Sequence, residues 1–246
     1  MGKLLIIYYH EVVEKGQGYS YQKIDKDKFE SQMKYLHDQG YHSLLFSELD
    51  KAIPEKAIIV SFDDGFRTVF ENAAPIMKKY GIRGNVYLPT KYIGVDTHFM
   101  TWEMVKELSK DNFFEMQAHT HSHIDIRRLN KATIKEQINY SDKTFQEKSL
   151  NLPKAFCIPF GTFDRKSLRL LKNQNRYKYI LGSYYGHIRS RYLEKNVLPR
   201  IGMSNDDTMT VFIDKLDGKY DWKGPLQRLR LSLKNIKKER ITQYEY

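Results

Sequence analysis

Residues 57–65, AIIVSFDDG, constrain the fold more than any other stretch of this chain. The stretch begins with four consecutive apolar residues, which is typical of a parallel strand buried on both faces. Asp63 and Asp64 follow at the end of that strand, where each carboxylate needs a cation, a donor or water. Adjacent residues of an extended chain point to opposite sides, so the two aspartates can serve different functions. The alternative is a helix cap for the helix predicted from about Thr68.

Strand and helix patterns alternate along the chain, which predicts parallel βαβ units. The predicted strands are residues 4–9, 42–46, 57–62, 85–88, 113–118, 155–158, 177–182 and 197–201. The predicted helices are residues 27–39, 68–80, 102–109, 131–148 and 167–173. In parallel α/β folds the chemistry lies at the carboxyl ends of the strands, which is where both aspartates fall. We predict one catalytic domain over residues 1–215 and a basic, helical extension over residues 216–246.

A histidine cluster forms the second chemical signal. His119, His121 and His123 follow a predicted buried strand in the stretch HTHSH. On a helical turn the first and last imidazoles share a face, whereas on an extended segment all three do. Three imidazoles in five residues favour a metal site over a solvated polar turn.

The order SFDDG and then HTHSH resembles the polysaccharide deacetylase family, the chitooligosaccharide deacetylase-like carbohydrate esterases. The family pattern is T/S-F-D-D-G followed by H-[S/T]-x-x-H, and NVYLP at residues 85–89 also matches the family context. YYHEV near the amino terminus and LPRI at residues 198–201 resemble the branch that includes poly-N-acetylglucosamine deacetylases. The resemblance covers about residues 3–215. It implies an α/β fold, a distorted (β/α) barrel with fewer than eight parallel strands, that hydrolyses an acetyl group on a sugar.

The resemblance also implies the roles of individual residues. Asp64, His119 and His123 match the three ligands of one divalent metal ion, for which zinc is the expected identity, and Asp63 matches the general base. Zinc takes carboxylate oxygen and imidazole nitrogen, and a catalytic site leaves a position for water. His121 falls at a variable position of the family pattern, so we interpret it as a bystander.

Two departures from the family pattern affect the site. The family's R-x-P-[YF]-G is CIPFG at residues 157–161 here, so the Phe160 N–H can still serve as an oxyanion donor. Cys157 stands where the family has an arginine that orients the base. Arg200, in LPRI, is a candidate substitute arriving from another strand, and the alternative is an ordinary surface arginine.

The general acid is not assigned by the sequence. The family's late histidine has no clear match, and His187 is a weak candidate because it precedes the LPRI strand. His10 ends the first predicted strand and could point into the site or simply be hydrogen-bonded there. Tyr87 and Trp102 are further candidates for sugar stacking, although aromatic residues at strand ends more often belong to a core.

Three alternatives compete with a deacetylase. His121, His123 and Asp125 fit the H-x-H-x-D pattern of metallo-β-lactamase-type hydrolases, but the histidine expected next is Ile126, and SFDDG stays unexplained. A non-catalytic glycan-binding barrel would account for the missing arginine, but it has no need of a complete metal site. Only the charge favours a nucleic-acid binder, and no recognised nucleic-acid-binding motif supports it, so we expect no nucleic-acid partner.

Charge and composition bear on partners and location. The formal net charge of +11 favours an acidic glycan or an anionic phospholipid surface. Residues 222–246 contribute +5, from seven basic and two acidic residues. Leu226, Leu229, Leu233 and Ile236 recur at helical spacing and form a stripe. This helix could lie on an anionic membrane near a lipid-linked sugar, or pack on the barrel. A single cysteine and no visible signal peptide predict a cytoplasmic protein, for which a peripheral position at the inner membrane face is the alternative.

Overall fold

The structure is a computed structural model that describes residues 3–19, 21–194 and 197–233. The strands are β1 Lys3–Tyr9, β2 Glu11–Val13, β3 Lys23–Asp25, β4 His42–Ser43, β5 Ala57–Phe62, β6 Gly84–Leu88, β7 Phe114–Ala118, β8 Ala155–Cys157, β9 Tyr179–Leu181, β10 Ile188–Arg189, β11 Val197–Leu198 and β12 Ile201–Gly202. The α-helices are α1 Lys26–Asp38, α2 Ala74–Lys79, α3 Trp102–Ser109, α4 Lys131–Glu147, α5 Arg165–Lys172, α6 Met209–Leu216 and α7 Gly224–Leu233.

The main sheet curves into a barrel that a split strand closes. β1, β5, β6, β7, β8 and β9 lie side by side in parallel. β11 pairs with β9 at one edge of this sheet, and β12 pairs with β1 at the other. Only Pro199 and Arg200 separate β11 from β12, so the chain crosses between the two edges at this point. The predicted distorted (β/α) barrel with fewer than eight parallel strands is confirmed.

The two faces of each barrel strand bury different residues. On β5, Ala57 and Ile59 belong to the cluster inside the barrel, whereas Ile58 and Val60 pack outward against helices. The same alternation continues past the end of the strand and directs Asp63 into the barrel. Because parallel strands end at one edge, inward residues just after several strands meet in one layer.

Two predicted elements are broken at prolines. The predicted helix over residues 68–80 is a π-helical turn, Val69–Ala73, followed by α2, with Pro75 in the first turn of α2. Proline lacks an N–H and clashes with the carbonyl four residues earlier, so the α-helix begins late. The predicted strand over residues 197–201 likewise splits around Pro199, which has no N–H to donate to the sheet.

The carboxyl-terminal helix predicted from the sequence is described only in part. A 3₁₀ turn, Asp221–Lys223, leads into α7, and residues 234–246 lie outside the described residues. The domain boundary at residue 215 stays a prediction. None of the helices in the described part of the chain has the length and hydropathy that a membrane span requires.

Candidate active site

A buried ion pair joins Asp63 to Arg200. Arg200 Nη1 donates to Asp63 Oδ1 at 2.6 Å, and Nη2 donates to Oδ2 at 2.9 Å. This two-point contact fixes the plane of the carboxylate, which a lysine could not do. Arg200 is only 1% exposed, so the interpretation as a surface arginine is wrong. The contact brings together residues that are 137 positions apart in the chain.

Arg200 is held in place on every side. Its Nε donates to the Gly182 carbonyl at 3.1 Å, and Nη2 also contacts Ser183 Oγ at 3.4 Å. The guanidinium lies over the ring of Tyr8, 4.4 Å from its centroid, and 5.1 Å from the centroid of Tyr87. These rings offset part of the cost of burying a cation. Our sequence analysis missed Tyr8 and Ser183, although Tyr8 continues the inward series of β1.

The Arg200 guanidinium also controls the charge of Asp63. Burial alone would raise the pKa of Asp63, but the nearby guanidinium outweighs it and holds that pKa below its usual range. Asp63 therefore stays ionised, as a base must. Cys157, which replaces the family's arginine, lies with its Sγ 3.8 Å from Asp63 Oδ2. Burial raises the pKa of the Cys157 thiol, so it is a neutral neighbour and a poor nucleophile.

The second buried cluster consists of Asp64, His119 and His123. Asp64 Oδ1 lies 3.4 Å from His119 Nε2 and 3.3 Å from His123 Nε2. His119 Nδ1 lies 2.8 Å from the Cys157 carbonyl, which orients the ring and leaves Nε2 to face Asp64. Asp64 and His123 have positive φ angles of 73° and 49°. Such strained backbone at non-glycine residues often accompanies functional sites.

The donor set of this cluster fits a divalent metal ion. One carboxylate oxygen and two imidazole nitrogens lie within 4.8 Å of one another, and all three residues are buried. Asp64 Oδ1 is a buried atom with no hydrogen-bond partner among the residues that the structure describes. Burial lowers the pKa of His123 to about 4, so this imidazole is neutral and can act as a ligand. Nitrogen and oxygen donors in this number are typical of catalytic zinc sites.

The potential ligand atoms of Asp63, His119 and Cys157 also lie close enough to one another to hold a metal ion. Both Asp63 oxygens already accept hydrogen bonds from Arg200, however. The cluster of Asp64, His119 and His123 is therefore the better candidate for a metal site.

The turn Pro159–Gly161 places Phe160 beside the cluster of Asp64, His119 and His123. The Phe160 ring contacts the His123 ring edge-on, with 4.6 Å between the centroids. Phe160 has a φ of 60° and Gly161 a φ of 62°, so the turn is left-handed at both positions. A Cβ on Gly161 would lie 2.5 Å from Ser183 Cβ and 3.1 Å from the Ser183 backbone nitrogen. The turn therefore packs directly on a residue that contacts Arg200.

A Gly161→Ala variant is expected to lower the free energy of unfolding by about 1–3 kcal/mol more than a Gly81→Ala variant does. Gly81 has a similar φ of 66° but has open space around its Cβ position. The backbone cost is common to both variants, so the difference measures the clash with Ser183. Urea unfolding of the two variants measures this difference, and equal losses would show that the turn can move away from Ser183.

The residues of the H-x-H-x-D alternative do not converge. His121 Nδ1 lies 2.9 Å from Thr90 Oγ1, and the His121 ring packs against Tyr140 on α4. Asp125 forms an ion pair with Arg127, with 2.6 Å between Oδ2 and Nη2. Neither residue belongs to a potential metal cluster in the described ranges. The metallo-β-lactamase-type interpretation is therefore wrong, and His121 lies beside the site rather than in it.

Of the other candidate residues from the sequence, one lies beside Asp64 and the rest make other contacts. His10 reaches the site, since its Nε2 lies 3.9 Å from Asp64 Oδ2. His187 instead contacts Asp221 and the Leu216 carbonyl, each at 2.9 Å, so its weak candidacy as the general acid fails. Tyr87 is fully buried beneath Arg200 and offers no face to a sugar. Trp102 packs beside Lys148, 5.3 Å from Nζ to the ring centroid.

An ion-paired carboxylate beside a buried carboxylate–imidazole cluster, at the end of a barrel, is an arrangement typical of hydrolases. Comparison with known proteins identifies the family. Residues 50–180 match the polysaccharide deacetylase family, which is more than half of the chain. The chain belongs to the polysaccharide deacetylase family.

Two relatives illustrate the similarity. YxkH of Bacillus subtilis (strain 168), whose name assigns it to the polysaccharide deacetylases, is 30% identical over 173 residues. That match covers 68% of this chain and 60% of YxkH, less than two thirds of its length. The poly-β-1,6-N-acetyl-D-glucosamine N-deacetylase of Staphylococcus aureus (strain MRSA252) is 27% identical over 238 residues, covering 87% of this chain and 78% of the relative.

Solved structures share the fold. The Streptococcus pyogenes deacetylase PplD, in complex with acetate, superposes with a TM-score of 0.77 at 19% identity, covering 87% of this chain and 98% of PplD. IcaB from Ammonifex degensii superposes with a TM-score of 0.72 at 18% identity, covering 88% of this chain and 97% of IcaB. At these identities the similarity supports the barrel architecture alone.

Proposed function

We propose that this chain is a metal-dependent deacetylase that removes N-acetyl groups from a polymer of N-acetylglucosamine. The observation that supports this most directly is the pairing of two buried sites at one end of the barrel. Asp64, His119 and His123 form a ligand set, and Asp63 lies next to it as a carboxylate that Arg200 orients. The N-deacetylase name of the Staphylococcus aureus relative supports the choice of polymer.

In this proposal Asp64, His119 and His123 hold one divalent ion, and zinc is the expected identity. When bound, such an ion polarises the acetyl carbonyl and lowers the pKa of water at the open coordination position. The pKa values of Asp64 and His123 are both lowered, so the carboxylate is ionised and the imidazole is neutral. Both groups are therefore already in the protonation state that binds a metal ion. The Cys157 carbonyl accepts a hydrogen bond from His119 Nδ1, which leaves Nε2 as the atom that would bind the ion.

Asp63 acts as the general base. Its carboxylate follows Phe62 at the end of β5, next in the chain to the ligand Asp64, and it removes a proton from the attacking water. Arg200 is a positioning residue, because it fixes the plane of that carboxylate and keeps it ionised. The rings of Tyr8 and Tyr87 keep the guanidinium itself from moving.

Phe160 supplies the oxyanion donor in this proposal. Its backbone N–H lies in the left-handed turn beside His123, and it would donate to the acetyl oxygen as negative charge develops there. The general acid stays unassigned among the described residues.

The proposal is tested by metal analysis of the purified protein together with acetate release from a panel of glycans. We expect one divalent ion per chain and acetate from poly-β-1,6-N-acetylglucosamine oligomers, with less from O-acetylated glycans. A His123→Ala variant should lose both the ion and acetate release. The matched control is His121→Ala, which should keep both, because His121 contacts Thr90 and Tyr140 instead of the cluster.

Two outcomes would count against the proposal. Loss of the ion in His121→Ala but not in His123→Ala would place the metal elsewhere. Glycan binding without acetate release, in a protein that holds its metal, would favour the non-catalytic glycan-binding barrel.

A further inference from the structure

The segment from Asp221 to Leu231 presents three large apolar side chains to solvent. Trp222 is 67% exposed, Leu226 is 63% exposed and Leu229 is 56% exposed. Isolated exposed apolar side chains are ordinary, but a contiguous set often marks an interaction surface. Leu226 and Leu229 are three residues apart on α7 and lie on one side of that helix, and Trp222 lies in the 3₁₀ turn that precedes it. We refer to Trp222, Leu226 and Leu229 as the outer stripe.

The opposite side of the same helix is attached to the barrel. A Cβ on Gly224 would lie 2.1 Å from the Tyr185 carbonyl oxygen, so this glycine permits close contact. Gln227 Oε1 accepts a hydrogen bond from the Tyr185 N–H at 2.9 Å. Leu231 packs against a cluster of buried apolar residues that includes Leu171 and Tyr184. Gly224, Gln227 and Leu231 are spaced by three and four residues and form the inner side. The orientation of α7 is therefore set by its inner side. Leu226 faces away from the barrel, whereas Leu229, although exposed, also lines a cavity together with Leu168 and Tyr184.

Lys223 and Arg230 flank the outer stripe, whereas Arg228 lies nearer the inner side, with its guanidinium 6.0 Å from the Tyr184 ring centroid. Lys223, Arg228 and Arg230 are the charged residues between Trp222 and Leu233, and no acidic residue occurs in that range. Arg228 and Arg230 are exposed, and the Lys223 ammonium lies 5.5 Å from the Trp222 ring centroid. Asp221, the nearest acid, already contacts His187. A tryptophan and leucines bordered by lysine and arginine are typical of helices that lie in the interface of a membrane.

We propose that the outer stripe docks the protein on an anionic phospholipid surface. Trp222 and Leu226 would enter the boundary between headgroups and acyl chains, while Lys223 and Arg230 contact anionic headgroups. A second copy of this chain fits less well, because a two-fold contact through this helix would set the cations of one copy against those of the other. A soluble polyanion fits less well because it offers no apolar phase for the leucines.

The proposal is tested by cosedimentation of the full chain with vesicles. We expect binding to vesicles of mixed phosphatidylcholine and phosphatidylglycerol, weakened by high salt, and little binding to phosphatidylcholine alone. A Leu226→Glu variant should bind the anionic vesicles roughly tenfold more weakly, since a charge would replace a buried leucine. The control is Leu152→Glu, which makes the same change at a leucine that is 44% exposed elsewhere on the surface.

Fluorescence supplies a second measurement. The chain has two tryptophans, and a blue shift of emission on adding anionic vesicles is expected, which Trp222→Phe should abolish. The proposal is overturned by absence of binding to anionic vesicles, or by equal weakening in Leu152→Glu. It is also overturned by a concentration-dependent dimer that Leu226→Glu dissociates, which would show that a second copy covers the stripe. Circular dichroism checks that each variant is folded.

Discussion

An Asp63→Asn variant is expected to keep its divalent metal and to lose turnover by roughly a hundredfold or more, the usual scale for one general base. Asparagine has the shape of aspartate and can still accept from Arg200, but its amide cannot take a proton from water. Because Arg200 would then be a buried charge with a neutral partner, we also expect a loss of about 3 kcal/mol in the free energy of unfolding. Acetate release and metal content should be measured on the same folded sample.

The matched control for this variant is Asp142→Asn. Asp142 also pairs with an arginine, and its Oδ1 accepts from Arg176 Nη2 at 2.8 Å, but it belongs to α4 and contacts no residue of the ligand cluster. The same chemical change there should leave turnover within about twofold of the parent. An Asp63→Asn enzyme that holds its metal and works at the parent rate would remove Asp63 from the mechanism.

An Arg200→Lys variant is expected to lose up to about a hundredfold in turnover, because small displacements of a catalytic group are costly. Lysine keeps the positive charge, but it cannot donate to both oxygens of Asp63 in one plane. It also loses the stacking of the guanidinium on Tyr8 and the bond to the Gly182 carbonyl. Since Arg200 is not a metal ligand, metal content should be unchanged. The effect should fall on kcat, with KM much less affected.

Arg176→Lys serves as the control for this substitution, because it weakens an equivalent arginine–aspartate pair outside the site. A merely structural role for Arg200 predicts that both variants lose stability and that neither changes kcat in the folded protein. Parent-like kcat in Arg200→Lys would therefore contradict its role as a positioning residue. If the protein only binds glycans, neither the parent nor the variant should release acetate, and their glycan affinities should agree.

The sequence by itself determined the local chemistry of this protein. The apolar run of β5 and the alternation of strand and helix patterns were enough to predict parallel βαβ units, since burial periodicity is a local property, and the resemblance to the family then implied the barrel. The same patterns placed Asp63, Asp64 and the histidines at carboxyl ends of parallel strands, where a barrel collects its site. Resemblance to the family then separated His119 and His123 from His121 as ligand candidates, which spacing alone left open.

Only the tertiary structure decided how distant parts of the chain meet. Whether Arg200 reaches Asp63 depends on β11 pairing with β9 and β12 pairing with β1, and the sequence, which predicted one strand over residues 197–201, showed neither pairing. The exclusion of His187 and Asp125 likewise rests on partners that no spacing rule supplies, Asp221 and Arg127. Local periodicity specifies which face of an element is buried, whereas strand register and barrel closure are non-local. For that reason the residues that we propose as ligands could be predicted from the chain, but the partner of Asp63 required the fold.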